Sequence, residues 1–250
     1  MIRTLADFRN FELEATDGPL GPVQDLYFDD ATWQVRYLTA DVSAWLPGLS
    51  ILLAPTALEA TDRDRRVLRT RFDRRQMQDS PTAIEDDAVS ERNMERVGDP
   101  AWQPFWLTTS SQLGATAPIT PLRTRVSGEK TGDTGSGADL RSAREMVGYA
   151  VECEGQLVGA VSDVACDDES WRIRYLVIDA VAPTEARRIL IAPDWTEAID
   201  WTEPVVRLDL DCEAVAHAPG FDATTVIDED YRQRLREHYG RLRPTTEESR

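Results

Sequence analysis

Gly21-Pro22-Val23-Gln24-Asp25-Leu26-Tyr27-Phe28-Asp29-Asp30-Ala31-Thr32-Trp33-Gln34-Val35-Arg36-Tyr37-Leu38 returns 138 residues later as Gly159-Ala160-Val161-Ser162-Asp163-Val164-Ala165-Cys166-Asp167-Asp168-Glu169-Ser170-Trp171-Arg172-Ile173-Arg174-Tyr175-Leu176. The same shift carries Asp41 onto Asp179, and Ile51-Leu52-Leu53-Ala54-Pro55 onto Ile189-Leu190-Ile191-Ala192-Pro193. About 22 identities in 71 aligned positions, all in one register, exceed chance and mark an internal repeat.

Each copy reads as a run of short strands. Phe11, Leu13 and Ala15, like Tyr149, Val151 and Cys153, alternate with other residues at period two. A second strand is expected over 20–28 and 158–166. A turn of Asp29-Asp30-Ala31-Thr32 or Asp167-Asp168-Glu169-Ser170 follows, rich in side chains that bond their own backbone. A third strand then opens at Trp33 or Trp171, making a β-hairpin. Further strands are expected at 51–54, 58–60 and 67–72, with equivalents in the second copy. Antiparallel strands totalling about 70 residues can bury one face and satisfy their edges by curling into a small barrel. The sequence therefore predicts a mainly β chain of two small antiparallel barrels in tandem, each followed by short helices.

The helices are expected at 73–78 and 90–97 after the first barrel, and at 211–216 and 228–239 after the second. Asp228 is placed as an N-cap, Tyr231, Leu235 and Tyr239 share one face, and Gly240 stands where a left-handed stop would fall. Organisation follows: a first barrel with its helical extension over 1–100, an aromatic tail and Gly/Ser-rich linker over 101–139, and a second barrel with a C-terminal helix over 140–245. Within the connector, 127–138 is a flexible linker by composition, whereas Ala101-Trp102-Gln103-Pro104-Phe105-Trp106 is apolar enough to be docked cover, with an exposed partner-binding peptide as the alternative. The loops Trp45-Leu46-Pro47-Gly48 and Pro183-Thr184-Glu185-Ala186 differ between the copies, so their partners need not be the same.

Charge bounds the function. The 250 residues carry 45 Asp plus Glu against 28 Lys plus Arg, a net charge of -17, which repels phosphate backbones and argues against nucleic acid. No apolar run approaches the roughly 18 residues of a membrane helix, and no basic-then-apolar leader follows Met1, so a cytoplasmic protein without membrane insertion is expected. Cys153, Cys166 and Cys212 form no CxxC pair, and His217 and His238 have no neighbouring cysteine; free structural thiols in a reducing compartment are expected.

Gly21 to Asp41, repeated at Gly159 to Asp179, together with the two Ile-Leu-Leu/Ile-Ala-Pro strands, resembles the PRC-barrel family. The resemblance covers both repeats and their extensions, leaving 107–139 unmatched. It implies a small β-barrel used for protein binding or assembly, as in the cytoplasmic domain of the photosynthetic reaction-centre H subunit and the C-terminal domain of a ribosome maturation factor. Its motif positions here are Gly21, Asp25, Trp33, Arg36 and Tyr37, and Gly159, Asp163, Trp171, Arg174 and Tyr175.

For chemistry, the candidates are Asp29 and Asp30 and their copies Asp167 and Asp168, which could share a proton or hold a divalent cation. Hairpin-corner chemistry is the simpler purpose, with Arg36 and Arg174 expected to pair across strands with Asp25 and Asp163. No phosphate-binding loop, nucleophile elbow or zinc-protease motif is present in the sequence. The expectation is thus a protein-interaction or assembly module, not an enzyme, without cofactor, whose barrels bury apolar faces against each other or against a second chain. A metal-dependent ligand binder or enzyme using the duplicated acids is the alternative.

Overall fold

The computed structural model describes residues 1–44, 50–78, 82–83, 140–181, 187–222, 225 and 227–240. The expected helix at 90–97, the aromatic segment 101–106, the linker 127–138 and the two unlike loops at 45–48 and 183–186 lie outside those residues. The chain forms two compact units, one of Ala6–Ser142 and one of Met1–Leu5 with Ala143–Arg250.

Strands dominate both. In chain order they are β1 (Ile2–Thr4), β2 (Glu12–Ala15), β3 (Gly18–Asp29), β4 (Val35–Asp41), β5 (Ser50–Leu53), β6 (Leu58–Asp62), β7 (Val67–Thr70), β8 (Thr82–Ala83), β9 (Leu140–Ser142), β10 (Ala150–Cys153), β11 (Gln156–Asp167), β12 (Arg172–Ala180), β13 (Arg187–Ile191), β14 (Thr196–Asp200), β15 (Val205–Leu208) and β16 (Gly220–Phe221). One sheet runs β6-β7-β2-β3-β4-β5-β8 with β9 added on β3; the other runs β14-β15-β10-β11-β12-β13-β16 with β1 added on β11. Most elements stand 138 positions from a counterpart, as β3 and β11 do at both ends.

The period-two pattern has the expected cause. Phe11, Leu13 and Ala15 are buried while Glu12 is exposed, and Tyr149, Val151 and Cys153 repeat this burial. The middle strands are covered on both faces: Leu38, Thr39 and Ala40, and Leu176, Val177 and Ile178, are all buried.

Two expectations are corrected. The sheets are mixed, because β7 runs parallel to β2, and β15 to β10. The intervening strands supply the long crossover that parallel pairing needs. Nor does either sheet close into a barrel among the described residues, since β6 and β8, and β14 and β16, are unpaired ends. The physical reason is visible in the end strands: β6 and β14 have no buried position, and β8 and β16 are two residues long.

The helices are α1 (Leu5–Phe8), α2 (Arg74–Gln78), α3 (Cys212–Ala216) and α4 (Glu229–Gly240). Asp211 caps α3 by accepting from the Glu213 amide at 2.7 Å, and Asp228 caps α4 by accepting from the Tyr231 amide at 2.8 Å. Tyr231, Leu235 and Tyr239 are the buried stripe of α4. Gly240 ends it but is not among the positive-φ residues, so the expected left-handed stop is absent. No helix among the described residues is long and apolar enough to cross a membrane.

The cysteine expectation also changes. Cys153, at the end of β10, and Cys212, opening α3, have Cα atoms 5.5 Å apart and form a disulfide. Cys166 alone is free; burial pushes its thiol up, and the carboxylates of Asp167 and Asp168 add to the effect.

Candidate functional site

The duplicated acids sit where a long strand meets its hairpin turn. Three irregularities in the pairing of the long strand recur in both copies: between Leu13/Glu14 and Val151/Glu152, between Val23/Asp25 and Val161/Asp163, and between Tyr27/Phe28 and Ala165/Cys166. A bulge inserts one residue and re-aims the side chains after it. Asp25 and Asp163 follow such a bulge.

Trp33 and Trp171 end the turns. The sequence expectation opened a strand at each, but both adopt positive φ, 60° and 52°, and β4 and β12 begin after them. Their amides donate to the carbonyls of Asp29 at 2.7 Å and Asp167 at 2.8 Å, closing equivalent turns. A non-glycine residue in this region costs about 1–2 kcal/mol, which burial offsets: Trp33 stacks on Phe28 at 5.2 Å, and both tryptophans are buried. The two share their turn and their burial, but the Phe28 on which Trp33 stacks is replaced by Cys166 in the other copy. Tyr37 packs on the cluster of Tyr27, Leu52 and Leu140, and Tyr175 is buried in the other unit; burial raises both phenols.

Asp29 and Asp167 hold the turns. Asp29 accepts from the Thr32 amide at 2.9 Å and from Arg36 at 3.0 Å. Asp167 accepts from the Ser170 hydroxyl at 2.8 Å and the Glu169 amide at 3.3 Å, with Arg174 at 3.8 Å and the Met1 amine at 3.2 Å. The expected pairing of Arg36 with Asp25 and Arg174 with Asp163 is therefore replaced by pairing with the turn acids. Both carboxyls lie below their ordinary value: burial raises them, but the donors just named outweigh it.

The other acids do something the sequence did not announce. β11 pairs with β12 from Gly159 to Asp167, so β10 and β1 share its remaining edge, β10 at Gln156–Ala160 and β1 at Ala165–Asp167. In the other unit β9 takes the same place on β3, at Tyr27–Asp29. Each unit is thus completed by a three-residue strand whose sequence neighbours lie in the other unit. Asp168 accepts from Arg3 Nε at 3.0 Å and the Met1 amine at 2.6 Å; its counterpart Asp30 accepts from Arg141 Nε at 3.2 Å. Asp163 accepts from the Leu5 amide at 3.0 Å, and Asp25 from the Ser142 hydroxyl at 2.6 Å. The acids form a clasp on an incoming strand.

A signal for this was present: the 138-residue shift also sets Ile2-Arg3-Thr4 on Leu140-Arg141-Ser142. Gly21 and Gly159 serve the same architecture, because each lies against the backbone of the neighbouring strand. Among the described residues no group of three or more His, Cys, Asp or Glu is arranged to hold a metal ion.

The lowered carboxyls give a pH dependence with a definite sign. A carboxyl whose folded pKa is depressed contributes stability that is present above its unfolded value and lost as pH falls through the folded one. Wild-type stability is expected to fall between about pH 5 and pH 2, and an Asp29→Asn, Asp167→Asn variant to show a flatter acid limb from a lower neutral plateau. Urea melts across that range check it; an unchanged acid slope counts against the assignment.

No family model matches the chain, and none of the curated proteins matches it.

Proposed function

We propose that this chain is a non-catalytic assembly protein of the PRC-barrel type, whose two units present surfaces to protein partners. One observation carries the reading. The duplicated carboxylates, the groups best suited to acid–base or cation chemistry, are engaged by the chain's own amides, hydroxyls and arginines. Side chains used to hold a strand and a turn support architecture more than turnover. The repeat supports it too, since a duplicated unit gives one chain the surfaces of a dimer. The Cys153–Cys212 bridge weighs against a reducing compartment. Location is tested by counting thiols blocked in intact cells.

The rival reading, a metal-dependent binder or enzyme at the acids, makes an opposite prediction. A cation at a hundred times its dissociation constant stabilises a folded protein by about 2.7 kcal/mol, a rise of about 5 °C or more in melting temperature. We expect millimolar Ca²⁺, Mg²⁺ or Mn²⁺ to give no such rise. A rise lost in Asp29→Asn, Asp30→Asn would transfer the function to the rival. For assembly itself, the tagged chain should recover a partner in fixed proportion, and that partner should recover the chain; monomer mass with no partner would overturn the proposal.

A further inference from the structure

We propose that the β11 edge at Ala165–Asp167 is an exchange site, through which two copies of this chain associate by trading β1. The strand already seated there identifies its occupant. Ile2 pairs with Asp167, Arg3 with Cys166 and Thr4 with Ala165; the Asp168 amide donates to the Met1 carbonyl at 2.9 Å. Arg3 reaches Asp168, whose side chain is 0% exposed, and the Leu5 amide reaches Asp163. These bonds specify an extended segment with arginine at its centre: main-chain pairing gives the hold, and the buried carboxylate gives the choice.

Three features make the occupant exchangeable. β1 is three residues long and its residues are only half-buried, so little apolar area is uncovered when it leaves. Among the described residues it pairs with β11 alone. The chain passes from one unit to the other between Leu5 and Ala6, inside the four-residue α1, so opening that single turn supplies the hinge. When β1 leaves, the edge it covered presents unpaired amides and carbonyls, a template for another strand. A second copy offers the identical strand, and the hydrogen bonds that β1 made within its own chain re-form between two chains. Where the two copies give to and receive from each other, the product is a closed pair. The inference names one partner for the assembly role and rests on that reading, but its geometry rests on β1 alone.

Charge reversal tests it in the full-length chain. In Arg3→Glu, the strand meets Asp168 with like charge; in Asp168→Arg, Arg3 meets a second guanidinium. Each variant is mismatched within itself. When the two are mixed, the acidic strand of the Arg3→Glu copy meets the basic edge of the Asp168→Arg copy. The unaltered Arg3 of the second copy meets the unaltered Asp168 of the first, so both exchanged pairs are matched. With one variant tagged, co-elution of the untagged partner is expected to exceed that of either variant mixed with itself by on the order of tenfold. The double variant Arg3→Glu, Asp168→Arg, matched within itself, should lose that excess. Equal co-elution from all mixtures, with circular dichroism unchanged from wild type, overturns the exchange. Should Asp168→Arg fail to fold, Asp168→Asn replaces it, and the preference becomes one-sided and smaller but is read the same way. Failure here, with a partner still recovered by the wild-type chain, leaves the assembly role standing on other surfaces.

Discussion

Replacing Gly21 by alanine is expected to lower the unfolding free energy by about 3–5 kcal/mol, combining backbone strain with a collision. Gly21 has φ of +150°, and a Cβ there would stand 1.6 Å from the Asp41 carbonyl oxygen and 2.8 Å from its carbon. Both are backbone atoms of the adjacent strand, so no side-chain rotation relieves the collision. The copy separates the two costs. A Cβ on Gly159 would lie 2.5 Å from the Asp179 oxygen and 3.0 Å from Ala180 Cα, without a positive φ, so Gly159→Ala should cost about 1–3 kcal/mol from overpacking. Gly155, at φ +76° with nothing within 4 Å of a Cβ, isolates the strain, and Gly155→Ala should cost about 1 kcal/mol. Denaturant midpoints at constant slope give the three values. A Gly21→Ala loss no larger than that of Gly155→Ala would show that β3 and β4 do not approach as described.

That close approach explains what a linear reading could and could not recover. The strand runs, the acidic turn and the capped final helix were legible because each is local: alternation decides a strand's face, Asp29 reaches Thr32 three residues on, and Asp228 reaches Tyr231. The ends of the sheets were not. Whether a seventh strand closes on the first depends on burial at β6 and β14, and neither strand's sequence states that it has no covered face. The clasp was harder still. Arg141 and Asp30 are 111 residues apart, and Arg3 and Asp168 are 165. A three-residue strand has no period to read. The acids are visible as a cluster, but their donors come from the segment that begins the other repeat, so proximity along the chain points Arg36 to Asp25 although it holds Asp29. Cysteine pairing belongs to the same class, since spacing alone leaves the partners of three thiols undetermined.

Loss of the Cys153–Cys212 bridge is the other large effect. A cross-link closing 59 residues removes unfolded-chain entropy worth about 4 kcal/mol in the loop-closure account, with about 2–4 kcal/mol usual in practice. The other unit provides the comparison. Its equivalent positions are Ala15 and Arg74, where no covalent link is possible. There Arg74 takes the corner by other means, donating its amide to Asp17 at 2.9 Å and its guanidinium to the Pro19 carbonyl. A Cys153→Ala, Cys212→Ala variant reproduces the Ala15 side without supplying the arginine. It should therefore lose about 2–4 kcal/mol, and Arg74→Ala only about 1 kcal/mol, the scale of exposed hydrogen bonds. Reductant should destabilise the wild type by the same amount as the double substitution and leave the variant untouched, because Cys166 has no partner to release. A thiol count in denaturant without reductant should find one group, and with reductant three. Three thiols before reduction would remove the bridge, and with it the difference between the two corners.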